Sequence, residues 1–199
     1  DVTAPNIDKM QGDFSYVTKV SSVDKSMLGS RSFGYVSEIC QVGNSDYFAF
    51  KWGNWGNIDY VMSFRLDTTS GTFTTVPIEE KDVWFNGPRV FLQVGNSGLF
   101  VLAHQEDDSL KLVTVGVSPS DGDIQDTNID TLNAFPAFRS QGAVDGVSIG
   151  SKYVAVLAQV EDDSLCLKTI EVDPSTGMFV GVADSLRFLG RRVANGYSC

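Results

Sequence analysis

One phrase recurs three times in this chain and limits what it can fold into. QVGNSDYFAF begins at Gln41, QVGNSGLFVL at Gln93 and VSIGSKYVAV at Val147, so Gly43, Gly95 and Gly150 stand 52 and 55 residues apart. A second set of glycines, Gly71, Gly122 and Gly177, follows in step at spacings of 51 and 55. An acidic turn is repeated almost letter for letter, as Gln105-Glu106-Asp107-Asp108-Ser109-Leu110 and Val160-Glu161-Asp162-Asp163-Ser164-Leu165. A repeat of this length means that each copy is one supersecondary unit, and that like units cover one another's apolar faces.

The third copy, Val147–Asp184, reads as a meander. A short strand closes at Gly150, an apolar strand spans Tyr153–Gln159, and the hairpin Glu161-Asp162-Asp163-Ser164 leads into a strand over Leu165–Val172. The turn Asp173-Pro174-Ser175-Thr176-Gly177 then feeds a fourth strand, Met178–Ala183. An antiparallel sheet with one wet face alternates cleanly between apolar and polar residues. The second strand of the repeat does not: Leu99–Ala103 and Tyr153–Ala158 are apolar on both faces. Such a strand needs cover on both sides. In the third strand Phe64, Val115 and Ile170 are equivalent, beside Ser63, Thr114 and Thr169.

Four strands and a period of this size are those of a β-propeller blade. The expected fold is therefore all-β, with propeller-like four-stranded blade repeats, three complete and two partial. Residues 1–12 read as a linker or arm, and 13–199 as the repeat domain. Within it lie a partial blade at 13–33, repeats at about 34–86, 87–141 and 142–189, and the start of a further blade at 190–199. The last assignment rests on Phe188-Leu189-Gly190-Arg191-Arg192-Val193, which matches the spacing of Phe85-Asn86-Gly87-Pro88-Arg89-Val90. Propellers close with about four to eight blades. Closure here needs a composite blade made from the two ends, a ring shared between copies, or more chain. The alternative is open stacking, which leaves unpaired strand edges that invite another chain.

In the turn Val172-Asp173-Pro174-Ser175-Thr176-Gly177, proline presets φ for an early turn position and glycine supplies the positive φ that returns the chain. With its variants Leu66–Gly71 and Val117–Gly122, it resembles the DP-x-TG turn of lactonase-type (YVTN-like) propeller repeats. The resemblance covers the repeat pattern and implies the propeller fold. The enzymes of that family use polar and charged residues facing a central channel, and no position here matches them residue by residue.

The formal net charge of −10, from 15 basic and 25 acidic residues, argues against a nucleic-acid partner and suits a soluble surface. No apolar run approaches the length of a membrane span. Cys40, Cys166 and Cys199 have no metal-ligand spacing and leave either one disulfide or free thiols. The chain starts at Asp1 without a leader-like segment, which suggests a processed protein or a piece of a longer one. It has no Asn-x-Ser/Thr sequon.

Catalytic constellations are scarce. The single histidine, His104, has Trp52 and Gln159 as its counterparts and no nucleophile elbow nearby; it reads as a strand histidine at a blade edge. The carboxylate pairs Asp107-Asp108 and Asp162-Asp163 read as solvated hairpin tips. Asp121–Asp130 is dense in the hard oxygen ligands calcium prefers, yet it departs from EF-hand spacing. No catalytic residue, metal or cofactor is assigned.

The most distinctive departure from the repeat is the hairpin Lys51-Trp52-Gly53-Asn54-Trp55-Gly56-Asn57. Trp52, Asn54, Trp55 and Asn57 are the candidate partner- or ligand-binding residues, since aromatic rings beside amides stack on sugars or fill a partner's pocket. Trp52 also continues its strand's alternation and so reads equally as core; Trp84 reads as an anchor between blades. The leading expectation is a non-enzymatic structural or protein-interaction module of a larger surface or extracellular assembly. Its partner would be another protein or further copies of itself, met through open strand edges. The second is a carbohydrate-binding propeller using the aromatic hairpin, and the third a lactonase-like propeller enzyme.

Overall fold

The computed structural model describes residues 33–54, 59–67, 69–73, 79–82, 88, 90–139 and 142–189, all within the unit that starts at Phe33. Among them there is no helix, and the strands form three antiparallel sheets, none closed. In the first, β1 (Phe33–Val36) and β2 (Cys40–Gln41) both pair with β3 (Tyr47–Asn54). β3 pairs with β4 (Asp59–Asp67), which carries β5 (Thr72–Phe73) and β6 (Glu79–Asp82). The second runs β7 (Phe91–Gln93), β8 (Leu99–Glu106), β9 (Ser109–Val117), with β10 (Ile124–Asp126) and β11 (Thr131–Phe135) both on β9. The third is β12 (Val144–Ile149), β13 (Tyr153–Gln159), β14 (Leu165–Val172) and β15 (Phe179–Phe188), in that order.

In its first two copies the recurring phrase is a turn with the same bonds. Val42 N–H reaches Tyr47 O and Val94 N–H reaches Leu99 O, both at 2.8 Å. The Ser45 and Ser97 hydroxyls donate back to Val42 O and Val94 O at 2.7 and 2.6 Å, and accept from Tyr47 and Leu99 N–H. Gln41 and Gln93 bridge to the carbonyls of Ser45 and Ser97. Gly43, Gly95 and Gly150 hold φ of 59°, 57° and 61° at this corner, a conformation that side chains disfavour. The third copy has one residue fewer after its glycine, so β13 begins two residues after Ser151 and not three after its equivalent. His104 is consequently matched by Ala158, and not by Gln159 as the glycine alignment suggested. The cross-strand pairs confirm that register: Phe48 faces Phe64, Phe100 faces Val115, and Val154 faces Ile170.

β13 and β14 fall where the sequence placed them, whereas the fourth strand does not end at Ala183. β15 continues to Phe188 because Leu186 and Phe188 find Leu167 and Leu165 across the ladder. Phe188 therefore lies in the third sheet, within the repeat expected at 142–189; the arm expected at 1–12, the partial blade at 13–33 apart from Phe33, and the further blade expected at 190–199 lie outside the described residues. Two register shifts, at Thr169/Ile170 and Glu171/Val172, bend β15 on the way. In the second sheet the corresponding strand is broken: Thr114 captures both Ile129 and Asp130 backbone groups, so β10 and β11 sit apart on β9.

Two cores join the sheets. Val42, Ala49 and Val61 of the first sheet pack with Phe91, Phe100, Leu102, Val113 and Val115 of the second. On the second sheet's other face, Val94, Val101, Leu110, Leu112 and Phe135 pack with Val154, Val156, Ala158, Ile170 and Val172 of the third. Each valine, leucine, isoleucine or phenylalanine among them, fully buried, stabilises by about 1.5–3 kcal/mol. β8 is covered on both faces, as its composition required: Phe100, Val101, Leu102 and Ala103 are all fully buried. β13 meets that expectation on one face only, since Leu157 and Tyr153 on the other are half-buried.

Candidate functional site

The aromatic hairpin is more strand than loop. Lys51 through Asn54 belong to β3, with Asn54 opposite Phe33, while Trp55 and Asn57 lie outside the described residues, as does Trp84. Trp52 is fully buried and stacked on Tyr60, with ring centroids 4.4 Å apart. Phe48 and Phe64 stack beside it at 5.6 Å, so one face of the first sheet is a row of aromatic pairs.

Lys51 points the other way, into the join between the first two sheets. Its ammonium lies 2.8 Å from Asp59 Oδ2 and donates to Pro88 O at 3.0 Å and Ala103 O at 3.1 Å. Both side chains of the pair are buried. Desolvation pushes the Lys51 amine down from its ordinary pKa, and Asp59 opposes that shift. Sequence reasoning read Lys51 as the start of a loop, and nothing in the sequence pairs it with Asp59.

The groups weighed for chemistry are held in local structure. His104 is a buried residue of β8 opposite Lys111. Asp162 binds the Ser164 hydroxyl and Arg187, and Asp163 binds Arg139. The Ser164 hydroxyl, aided by Arg187, holds the Asp162 carboxyl below its usual range. In the Asp121–Asp130 stretch the carboxylates serve the backbone: Asp126 accepts from Asn128 N–H at 2.9 Å, and Asp130 from Thr131 and Phe179 N–H at 2.8 Å each. No group of three or more His, Cys, Asp or Glu suited to a metal occurs among the described residues. Cys40 and Cys166 are free thiols, one in the first sheet and one in the third; Cys199 lies outside the described residues. Burial, with Glu38 adding, pushes the Cys40 thiol up.

A cleft of about 210 Å³ opens where the leading strands of the three sheets converge. Ser37 and Glu38 line it from the first sheet, Val90–Leu92 from the second and Val144–Gly146 from the third. Its charged groups are the carboxylates Glu38 and Asp145, and Asp145 is engaged by Gly146 N–H at 2.8 Å.

Among the described residues, the outer face of the third sheet is an unusual surface. Val147, Ile149, Leu165, Leu186 and Phe188 project from it and are exposed. They alternate with Gly146, Ser148 and Cys166, whose positions face the second sheet. Neighbouring exposed apolar side chains of this kind are uncommon on a sheet face. No protein-family model matches the chain, and no curated protein matches it.

Proposed function

We propose that this chain is a propeller-like repeat module that works by binding protein and not by catalysis, with the outer face of its third sheet as the contact surface. The observation that carries this reading is the exposure of Val147, Ile149, Leu165, Leu186 and Phe188 on one face of a sheet whose other face is core. Supporting the propeller-like arrangement, the first strands of the sheets lie together around one cleft, and each sheet lays its face on the next. Of the carboxylates weighed for chemistry, Asp126, Asp130, Asp162 and Asp163 are engaged in turns and ion pairs. A sugar-stacking role would rest on Trp55 and Asn57, which lie outside the described residues.

The test is dye binding to the isolated chain at concentrations where it is monomeric. An apolar-surface dye such as ANS should bind the folded protein, and Val147→Lys with Leu186→Lys should abolish the signal while leaving the far-UV spectrum and the unfolding midpoint unchanged. Absence of dye binding by the wild-type chain would sink the reading. So would a collapse of the midpoint in the double variant, because the face would then be core.

A further inference from the structure

We infer that the partner for this face is a second copy of the chain, which covers the third sheet with its own first sheet so that copies stack head to tail. This rests on the binding-module reading above and names its partner.

The argument begins with position-by-position equivalence. Leu92, Val94, Leu110, Leu132 and Phe135 are the residues through which the second sheet receives the third. Counting from the glycines and along the ladders, their counterparts in the third sheet are Val147, Ile149, Leu165, Leu186 and Phe188. Phe135 faces Leu110 as Phe188 faces Leu165, and Leu132 faces Leu112 as Leu186 faces Leu167. Yet Phe135 is 1% exposed and Phe188 48%, Leu92 8% and Val147 58%. The third sheet thus carries, uncovered, the same receiving face that the second sheet buries.

An interlock at the turns repeats the pattern. A β-carbon on Gly43 would stand 3.0 Å from Asn96 O, and one on Gly95 would stand 2.6 Å from Ser151 O. In each case the glycine corner of one sheet receives the residue after the equivalent glycine of the next. At Gly150 there is nothing within 4 Å. The notch exists, and the residue that would enter it does not come from the described part of this chain.

The face that fits is the one by which the second sheet covers the first, made by Phe91, Phe100, Leu102 and Val115. In the first sheet those positions are Ile39, Phe48, Phe50 and Phe64. Ile39 is 59% exposed, and the three phenylalanines are half-buried. Trp52 and Tyr60 on that face are already buried, so the free part is the end near the Gly43 turn. The corner residue offered there is Asn44, the counterpart of Asn96 and Ser151. A contact that joins two different faces is heterologous, and it propagates into rings or filaments.

Analytical ultracentrifugation of the full chain tests this. The wild type should show masses rising with concentration above the 21.6 kDa of one chain, more strongly as salt screens the net charge of −10. Ile39→Lys and Val147→Lys change exposed residues on opposite faces; each alone should remain at the mass of one chain. Mixed in equal amounts, they should form a dimer, because each retains the face the other needs. A wild type that stays at one-chain mass at every concentration overturns the inference. So does self-association of either variant alone, which would indicate like-to-like pairing. If the chain stays monomeric but still binds ANS at this face, the copy is the wrong partner and the binding surface stands; if dye binding also fails, both fall.

Discussion

Lys51 donates to the main-chain oxygen of Ala103, the residue that occupies Lys51's own place one sheet further on, across 3.1 Å. With Asp59 and Pro88 O it forms a buried polar strut inside an otherwise apolar join. Removing one partner of such a pair leaves the other charge buried alone. Lys51→Met should lower stability by about 3–5 kcal/mol in urea unfolding. Lys51→Met combined with Asp59→Leu should recover most of that loss, and a double variant no better than the single one would contradict the pairing.

Gly95 and Gly150 share one backbone conformation but not one environment. Alanine at either pays the left-handed cost of about 1–2 kcal/mol. At Gly95 the added β-carbon also meets the Ser151 backbone, so Gly95→Ala should cost about 1–3 kcal/mol more than Gly150→Ala. Denaturant midpoints at concentrations where the chain is monomeric measure the difference. Equal costs would mean that the turns do not interlock.

Phe135 and Phe188 hold the same place in successive sheets. Phe135→Ala should destabilise by about 3–5 kcal/mol, as a buried aromatic does. Phe188→Ala should cost about 1 kcal/mol or less in the monomer. Thermal unfolding of both variants at low protein concentration gives the comparison.

Acid should loosen the turns. The Ser164 hydroxyl holds Asp162 down, the Ser175 hydroxyl holds Asp173 down, and the Ser118 hydroxyl holds Asp121 down, each from an ordinary value of 3.8. A carboxylate whose folded pKa lies below its unfolded one binds fewer protons when folded, so it stabilises above 3.8 and loses that contribution as pH falls below it. The unfolding midpoint should therefore drop below pH 3.8, and Asp162→Asn should make that limb shallower. An unchanged slope would exclude Asp162 as a contributor.

Some of this was legible from the letters. The glycine corners demand a positive φ and announce themselves, and the Gln-Val-Gly-Asn-Ser phrase encodes its own side-chain bonds; β13 and β14 follow directly from them. The apolar run Phe100–Ala103 correctly implied cover on both faces. The fourth strand was not legible, because Gly181 and two register shifts break the alternation that would have carried it to Phe188. The Lys51–Asp59 pair joins residues on neighbouring strands whose burial depends on a third element, the second sheet, and local pattern holds no trace of that. Trp52 looked like a contact residue because it stands beside asparagine and glycine; its stacking partner Tyr60 lies across the hairpin, where spacing alone does not reveal it.

β8 has its four central residues sealed front and back, as β9 beside it does at Leu112–Val115. Its amide hydrogens can reach solvent only after one of the flanking layers peels off. Hydrogen exchange should accordingly be slowest at Phe100–Ala103 and Leu112–Val115, with protection thinning outward from this middle sheet, which should be the last to go.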